Sequence, residues 1–423
     1  MTTKNTFFYG WIMLGVAIGL AIATMPSQTV VVSIFNDSFQ NAASIKIEDL
    51  SLAYTVGTIL AAFPLPWVGR MADVHGLRTV TAVVTICFVG ALLLLTQASN
   101  IFQLGLCFFL IRFLGQGSLG MLAGHTIAMW FERKLGKTHS ILAIVGFAGG
   151  SALMPRPTAW LIENHGYQTA LLVLAGFVVL LVFPALLFVF KNKPEDIGQH
   201  LDGDPREHTA HDTVHGGNAP ANDPAFTRKQ AMRTSAYWIL VPIMCANGLI
   251  GTALLFHMQE MLRSVGLEGT ETQTATAIQP WPICFGLGML VIGYLVDRFK
   301  PRHLMPFGPA LMLVACIICL APVAGWVSPD HAILTMAIGM GMFGFSMAVS
   351  VAVGNPAIAR YFGRTHHGAI RGTISLASVA ATGIGPYLAG KAFVLSGESY
   401  TPILIAFAVS GVPLAISSLF LRP

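Results

Sequence analysis

The stretch Gly69-Arg70-Met71-Ala72-Asp73-Val74-His75-Gly76-Leu77-Arg78 is a short polar loop between two apolar runs, residues 49–69 and 79–98. Each run has about the 20 residues that a helix needs to cross the hydrocarbon of a bilayer. A second version, Gly293-Tyr294-Leu295-Val296-Asp297-Arg298-Phe299-Lys300-Pro301-Arg302, ends the apolar run 272–296. Both place an Asp four residues after a Gly, with basic residues close behind. Such an internal repeat in an apolar chain predicts two related halves.

The same ruler gives twelve spans: residues 8–35, 49–69, 79–98, 101–130, 139–163, 168–190, 236–262, 272–296, 304–325, 331–359, 372–395 and 400–421. Only 10% of the residues are charged and 54% are hydrophobic, whereas soluble proteins carry about 25% charge. Lipid as the outer solvent accounts for the deficit. The first apolar stretch is too long for a signal-peptide core and reads as an uncleaved span. Residues 191–233 are polar, contain Gly and Pro, and read as a linker between halves 1–190 and 234–423. Of the four linker histidines, His200, His208, His211 and His215, a solvated loop is the simpler reading than a metal site. Cys316 and Cys319 have metal or redox spacing but lie mid-span without polar company, and read as packing residues.

Charge placement orients the chain. With both termini cytoplasmic, nineteen of the 24 Lys and Arg fall at one side, including Arg70, Arg78, Arg133, Lys134, Lys137, Arg298, Lys300 and Arg302. Lys46 and Arg263 fall at the other, and Arg112, Arg156 and Lys391 within spans. This bias follows the positive-inside rule and speaks against nucleic acid as the reason for the +5 net charge.

Gly69, Asp73, Gly76 and Arg78 match G-x-x-x-D-x-x-G-x-R, the loop 2–3 signature of the major facilitator superfamily, which the chain resembles over essentially its whole length. The second version keeps Gly293, Asp297 and the basic Arg298. The resemblance implies two six-helix pseudo-symmetric bundles around a central cavity, and a gating role for these residues in which the Asp latches one state of the cycle. Arg112 with Gly115-Gln116-Gly117 is similar to the family's motif on helix 4, which implies a structural or coupling role. Tyr9-Gly10-Trp11, Trp130-Phe-Glu-Arg133-Lys134-Leu-Gly136, Gly146-Phe-Ala-Gly149-Gly150, Tyr361-Phe-Gly-Arg364, Arg371-Gly372 and Gly385-Pro386 resemble the monocarboxylate transporter and oxalate–formate antiporter branch. That branch implies a carboxylate-binding Arg on helix 8, where this chain has Gly288-Met289-Leu290.

Charge within a span costs roughly 2.5–3.5 kcal/mol at mid-helix on insertion scales, so each case is a candidate for function. Arg156, in Met154-Pro155-Arg156-Pro157, is either a substitute anion ligand or a side chain snorkelling to the interface. His125 and His257 are the histidines well inside spans, one per half, and candidates for substrate or proton work. Glu260 is the deepest carboxylate, near the outer end of helix 7. Gln28, Tyr54, Asn247, Gln279 and Asn355 are candidate cavity lining, several beside prolines that loosen the helix. No nucleophile–base pair or catalytic carboxylate dyad appears, so the chain reads as no enzyme, and neither cofactor nor resident metal is expected.

The expectation is a secondary transporter for a small organic anion, with proton coupling left open, acting as a monomer in a bacterial inner membrane. The rivals are an exporter of amphipathic or neutral compounds and a membrane receptor without flux.

Overall fold

A computed structural model describes residues 7–203, 226–296, 298–363 and 367–421. Among these residues the chain is helical throughout, without a strand. Nine of the described helices are long and apolar enough to cross a membrane, ten when the bent pair Ile47–Ala62 and Leu65–His75 counts as one span. One of the nine, Leu135–Val189, is 55 residues long. At 1.5 Å per residue it would greatly overshoot a bilayer, and Gly166 (φ 81°, ψ 157°) turns the chain in its middle. A left-handed φ of this size is open to glycine at little cost. It therefore makes two passes. His367–Leu395 is a further 29-residue helix; it packs against protein on two sides, which suits its small and polar residues.

The described residues divide into twelve helical passes, α1 (residues 10–43), α2 (47–75), α3 (Leu77–Leu95), α4 (Ile101–Trp130), α5 (135–165), α6 (167–189), α7 (Ser235–Ser264), α8 (Glu271–Val296), α9 (Pro301–Val323), α10 (Pro329–Phe362), α11 (His367–Leu395) and α12 (Thr401–Leu419). The first six form one bundle and the last six the other. The bundles meet along α2–α11, α5–α8 and α1–α7. The end bearing Arg70, Arg78 and Arg133 is called the basic end below, and the other the far end.

Helix starts follow side-chain capping. Asn100 accepts the Gln103 N–H at α4, Thr234 the Tyr237 N–H at α7, and Thr270 with Gln273 forms a capping box at α8. Each satisfies amide groups left orphaned by the first turn. Large apolar side chains such as Leu94, Phe102, Leu180 and Phe188 point outward, as a lipid solvent requires.

Three spans depart from regular helix near mid-membrane. α1 is broken at Gln28, which is extended (φ −78°, ψ 144°). α4 widens into π-helix over Arg112–Leu119 and α5 over Leu142–Ala148. Such wide turns recur at functional sites. α1 and α4 approach so closely that a Cβ on Gly115 would strike Ser27 and the Phe88 ring.

The first described part of the linker is held in place rather than free. The Asp202 carboxylate accepts the backbone N–H groups of Glu132, Arg133 and Lys134. The Gln199 side chain bonds Tyr9 N and Phe7 O. At the other end, Phe226 N donates to Phe362 O. His208, His211 and His215 lie outside the described residues.

Candidate functional site

A cavity of about 120 Å³ lies between the bundles at mid-membrane. Gln28, Thr29, Arg112, Gln116 and Phe147 line it from the first bundle, and Asn247, Thr252, Leu255, Trp281, Met347 and Thr382 from the second. The break at Gln28 and the π-turn of α4 together present backbone and polar side chains to this space, a common device where a span lines a site.

Arg112 dominates its electrostatics. The residue is only 4% exposed. Its Nη1 donates to Ser27 O (3.2 Å) and Thr29 Oγ1 (3.4 Å). Its Cζ lies 5.1 Å from the centre of the Tyr54 ring, in cation–π range. No carboxylate pairs with it among the described residues, and its Nε and Nη2 donate to no protein group there. Unpaired buried charge is costly. Three other lining residues carry buried polar atoms without partners: Gln116 Oε1, Asn247 Oδ1 and Trp281 Nε1. The Asn247 amide is oriented by its Nδ2, which donates to Ile243 O and Ser350 Oγ, leaving Oδ1 as the spare acceptor. Native proteins rarely leave such atoms unsatisfied without a reason.

The sequence candidates are distributed unevenly around this cavity. Gln28, Arg112 and Asn247 line it. Tyr54 stands behind Arg112, its hydroxyl 2.7 Å from Thr29 Oγ1. Gln279 is part of the seam, with Nε2 donating to Ala152 O at 3.1 Å. Arg156 is exposed in the first turn after Pro155 and lines no part of the cavity. The side chain of Asn355 lies outside what the structure describes.

His257 and Glu260 sit toward the far end, where polar contacts join the bundles. Arg263 Nη1 pairs with Asp37 at 2.9 Å and with Glu260 at 3.3 Å. Lys391 Nζ pairs with Glu48 at 2.9 Å. Glu163 accepts Thr272 N (2.8 Å) and Thr272 Oγ1 (2.7 Å), placing a carboxylate on the positive N-terminus of α8. Asn36 Nδ2 donates to Phe256 O at 2.6 Å. His257 bonds Tyr400 Oη and Pro386 O, with Ser51 Oγ at 3.4 Å. In the Asp37–Arg263, Glu48–Lys391 and Glu163–α8 contacts the carboxylate comes from the first bundle and the positive partner from the second, and Gln40 Nε2 also donates to Glu260 of the second at 3.5 Å. The far end is closed.

His125 is at the basic end, with Nε2 3.7 Å from Asp73, whose side chain is 68% exposed. There Gly76 (φ 83°) starts α3, Asn192 accepts Arg78 N, and Arg78 Nη2 donates to Leu187 O. Gly69 lies against Met121 of α4, Gly293 is exposed, and Arg298 stacks on Tyr294. Asp297 lies outside the described residues. Residues without an individual signal in the sequence complete the cavity. Thr29, Thr252 and Thr382 are ordinary helix residues until the packing is known. Gln116 lies inside the Gly115-Gln116-Gly117 motif, where the glycines carry the signal.

The Major Facilitator Superfamily model matches residues 8–263 and 240–423. A comparison with curated proteins gave no match. Among solved structures, the nucleoside transporter NupG aligns with TM-score 0.69 and 14% identity, over 97% of this chain and 99% of that one. A bacterial homolog of the human lysosomal transporter Spinster, inward-facing and unoccupied, aligns with TM-score 0.68 and 14% identity, over 99% of this chain and 95% of that one. These neighbours are transporters, not enzymes. The family match over nearly the whole chain, the repeated loop and the central cavity between paired bundles agree: the chain is an integral, multi-pass membrane protein and belongs to the major facilitator superfamily.

Proposed function

We propose that this transporter moves a small organic anion, held by Arg112 in the central cavity, by alternating access between the two ends. The observation that carries the reading is the Arg112 guanidinium, buried at mid-membrane with two neutral oxygens and a ring face as its partners and no carboxylate. A ligand carboxylate supplies the missing counter-charge and can accept two parallel N–H bonds from the planar fork. Of the two arginines within spans, Arg112 is the better placed as an anion ligand, because Arg156 is exposed away from the cavity. A cavity of about 120 Å³ suits a ligand of a few heavy atoms, since a cavity of about 150 Å³ holds benzene.

The remaining elements of the cycle follow from placement. Nineteen of the 24 basic residues put the basic end in the cytoplasm, so the far-end contacts form the outer gate. Residues 1–190 and 234–423 act as the two moving bodies, joined by 191–233. One chain encloses the whole cavity, so a monomer suffices.

A second reading is favoured by the apolar wall of Phe147, Leu255, Trp281 and Met347, which suits a neutral or amphipathic compound. Thermal stability of the detergent-purified protein, measured with small carboxylates, inorganic anions, amines and neutral solutes, separates the two. Stabilisation by a carboxylate that is lost in Arg112→Gln supports the anion site. Stabilisation only by neutral or cationic apolar compounds, unchanged in Arg112→Gln, replaces it with the second reading.

A further inference from the structure

The cavity and the outer gate are joined by a continuous set of contacts through two buried rings. Arg112 lies over Tyr54 at 5.1 Å. The Tyr54 ring packs on Phe256 with centroids 4.8 Å apart and planes inclined by 44°. Both residues are fully buried. Tyr54 belongs to α2 of the first bundle, where Phe108 meets it edge-on at 5.5 Å. Phe256 belongs to α7 of the second. Its carbonyl accepts the Asn36 amide across the seam, and the next residue, His257, bonds α11 and Tyr400 at the start of α12 and approaches Ser51 of α2.

We propose that the Tyr54–Phe256 stack couples occupancy of Arg112 to the outer gate, an inference that rests on the reading of Arg112 as the anion ligand. The stack crosses between bundles. Opening the far end separates the outer parts of α2 and α7, so the stack exists only while that end is closed. It is thus a two-state element, the physical requirement for coupling between sites. A bound carboxylate competes with the Tyr54 face for the guanidinium. It draws Arg112 into the cavity and releases the Tyr54 ring that the guanidinium holds against Phe256, so the contact across the seam loosens and the closed gate weakens. A ligand shifts an equilibrium only through such a difference between states. Tyr54 and Phe256 act here as positioning residues; neither needs to touch the ligand.

The test uses Ser33→Cys as a reporter. Ser33 is fully buried in the far half of α1 and its hydroxyl has no partner among the described residues, so the substitution is nearly silent. Alkylation of the introduced thiol by a hydrophilic maleimide, resolved from the native cysteines by peptide mass, reports opening of the far end. The probes are sodium acetate and sodium lactate, against sodium chloride at equal ionic strength. With the native rings, the anion is expected to raise the labelling rate about fivefold, the lower range of ordinary coupling. In Phe256→Leu, and independently in Phe256→Ala, that response is expected to vanish while the anion still raises thermal stability. A response that survives in both variants overturns the coupling and leaves the anion site standing. If neither probe stabilises the protein with native rings, the anion site and the coupling fall together.

Discussion

Asp37 and Arg263 meet at 2.9 Å across the seam between the bundles, one from α1 and the other from α7. Arg263 also holds Glu260 and donates from Nε to Glu268 O, so its guanidinium organises the far end of α7 as well as the seam. Partly exposed pairs of this kind contribute about 1 kcal/mol or less, which is a factor of about five in an open–closed ratio. Several together hold the gate without locking it. Asp37→Arg is therefore expected to raise the labelling of the Ser33→Cys reporter by about that factor, and Arg263→Asp likewise. The double exchange restores the pair in reverse and returns labelling toward the native rate. If the double variant labels as fast as either single one, the pair does not hold the gate.

Asn247 and Arg112 line the same small cavity from opposite bundles. No carboxylate among the described residues lines it, so in the anion reading the counter-charge to Arg112 comes from the ligand. Asn247→Asp supplies a resident counter-ion without changing side-chain size. The expected outcome is a loss of at least about tenfold in apparent anion affinity, about 1.4 kcal/mol, measured by titrated thermal shift. Unchanged affinity would show that Asn247 and the bound anion are not neighbours.

At Arg156 the position in the fold favours one of two readings that the chain leaves open. Along the chain it reads either as a substitute for the absent helix 8 arginine, whose removal would abolish anion uptake, or as a side chain snorkelling to the interface. In the fold it is exposed in the first turn after Pro155, with its long stem free to reach an interface. Arg156→Ala is expected to retain anion uptake within about twofold in proteoliposomes, the small effect usual for exposed substitutions. Abolished uptake in a folded variant would return Arg156 to the site.

The architecture is legible in the sequence because it rests on local signals. The Gly69–Arg78 loop, its second version at Gly293, and apolar runs of span length are each visible without knowing what packs where. Gln28 and Asn247 are legible as candidate cavity lining, and Arg112 as a structural or coupling charge, for a related reason: a polar group within lipid must face protein or a cavity. The gate is not. Asp37, Glu48 and Glu163 read as ordinary polar residues near helix ends, and Lys391 as a charge within a span, because their partners lie more than a hundred residues away. His257 is legible as unusual, yet its place beside Pro386, Tyr400 and Ser51 depends on three other parts of the chain. Pairing across the seam is a property of the folded assembly, and no spacing rule in one chain segment encodes it.

Glycine placement gives a check of the packing that is independent of substrate. A Cβ on Gly344 of α10 would strike the Trp281 carbonyl of α8, and one on Gly385 of α11 would strike the Leu249 carbonyl of α7. In both cases the obstacle is backbone, which cannot rotate away as a side chain can. A Cβ on Gly90 of α3 meets nothing within 4 Å. Gly344→Ala and Gly385→Ala are therefore expected to cost about 1–3 kcal/mol each, as overpacked sites do, seen as a lower Tm and a smaller monodisperse yield. Gly90→Ala gains helix propensity on the order of 1 kcal/mol and should match or exceed the native Tm. Equal stability of all three variants would mean that α8–α10 and α7–α11 are farther apart than the structure places them. Close approach of small residues is the main way helices associate in lipid, where burial of apolar surface offers no advantage, so these contacts bear directly on how the second bundle holds together.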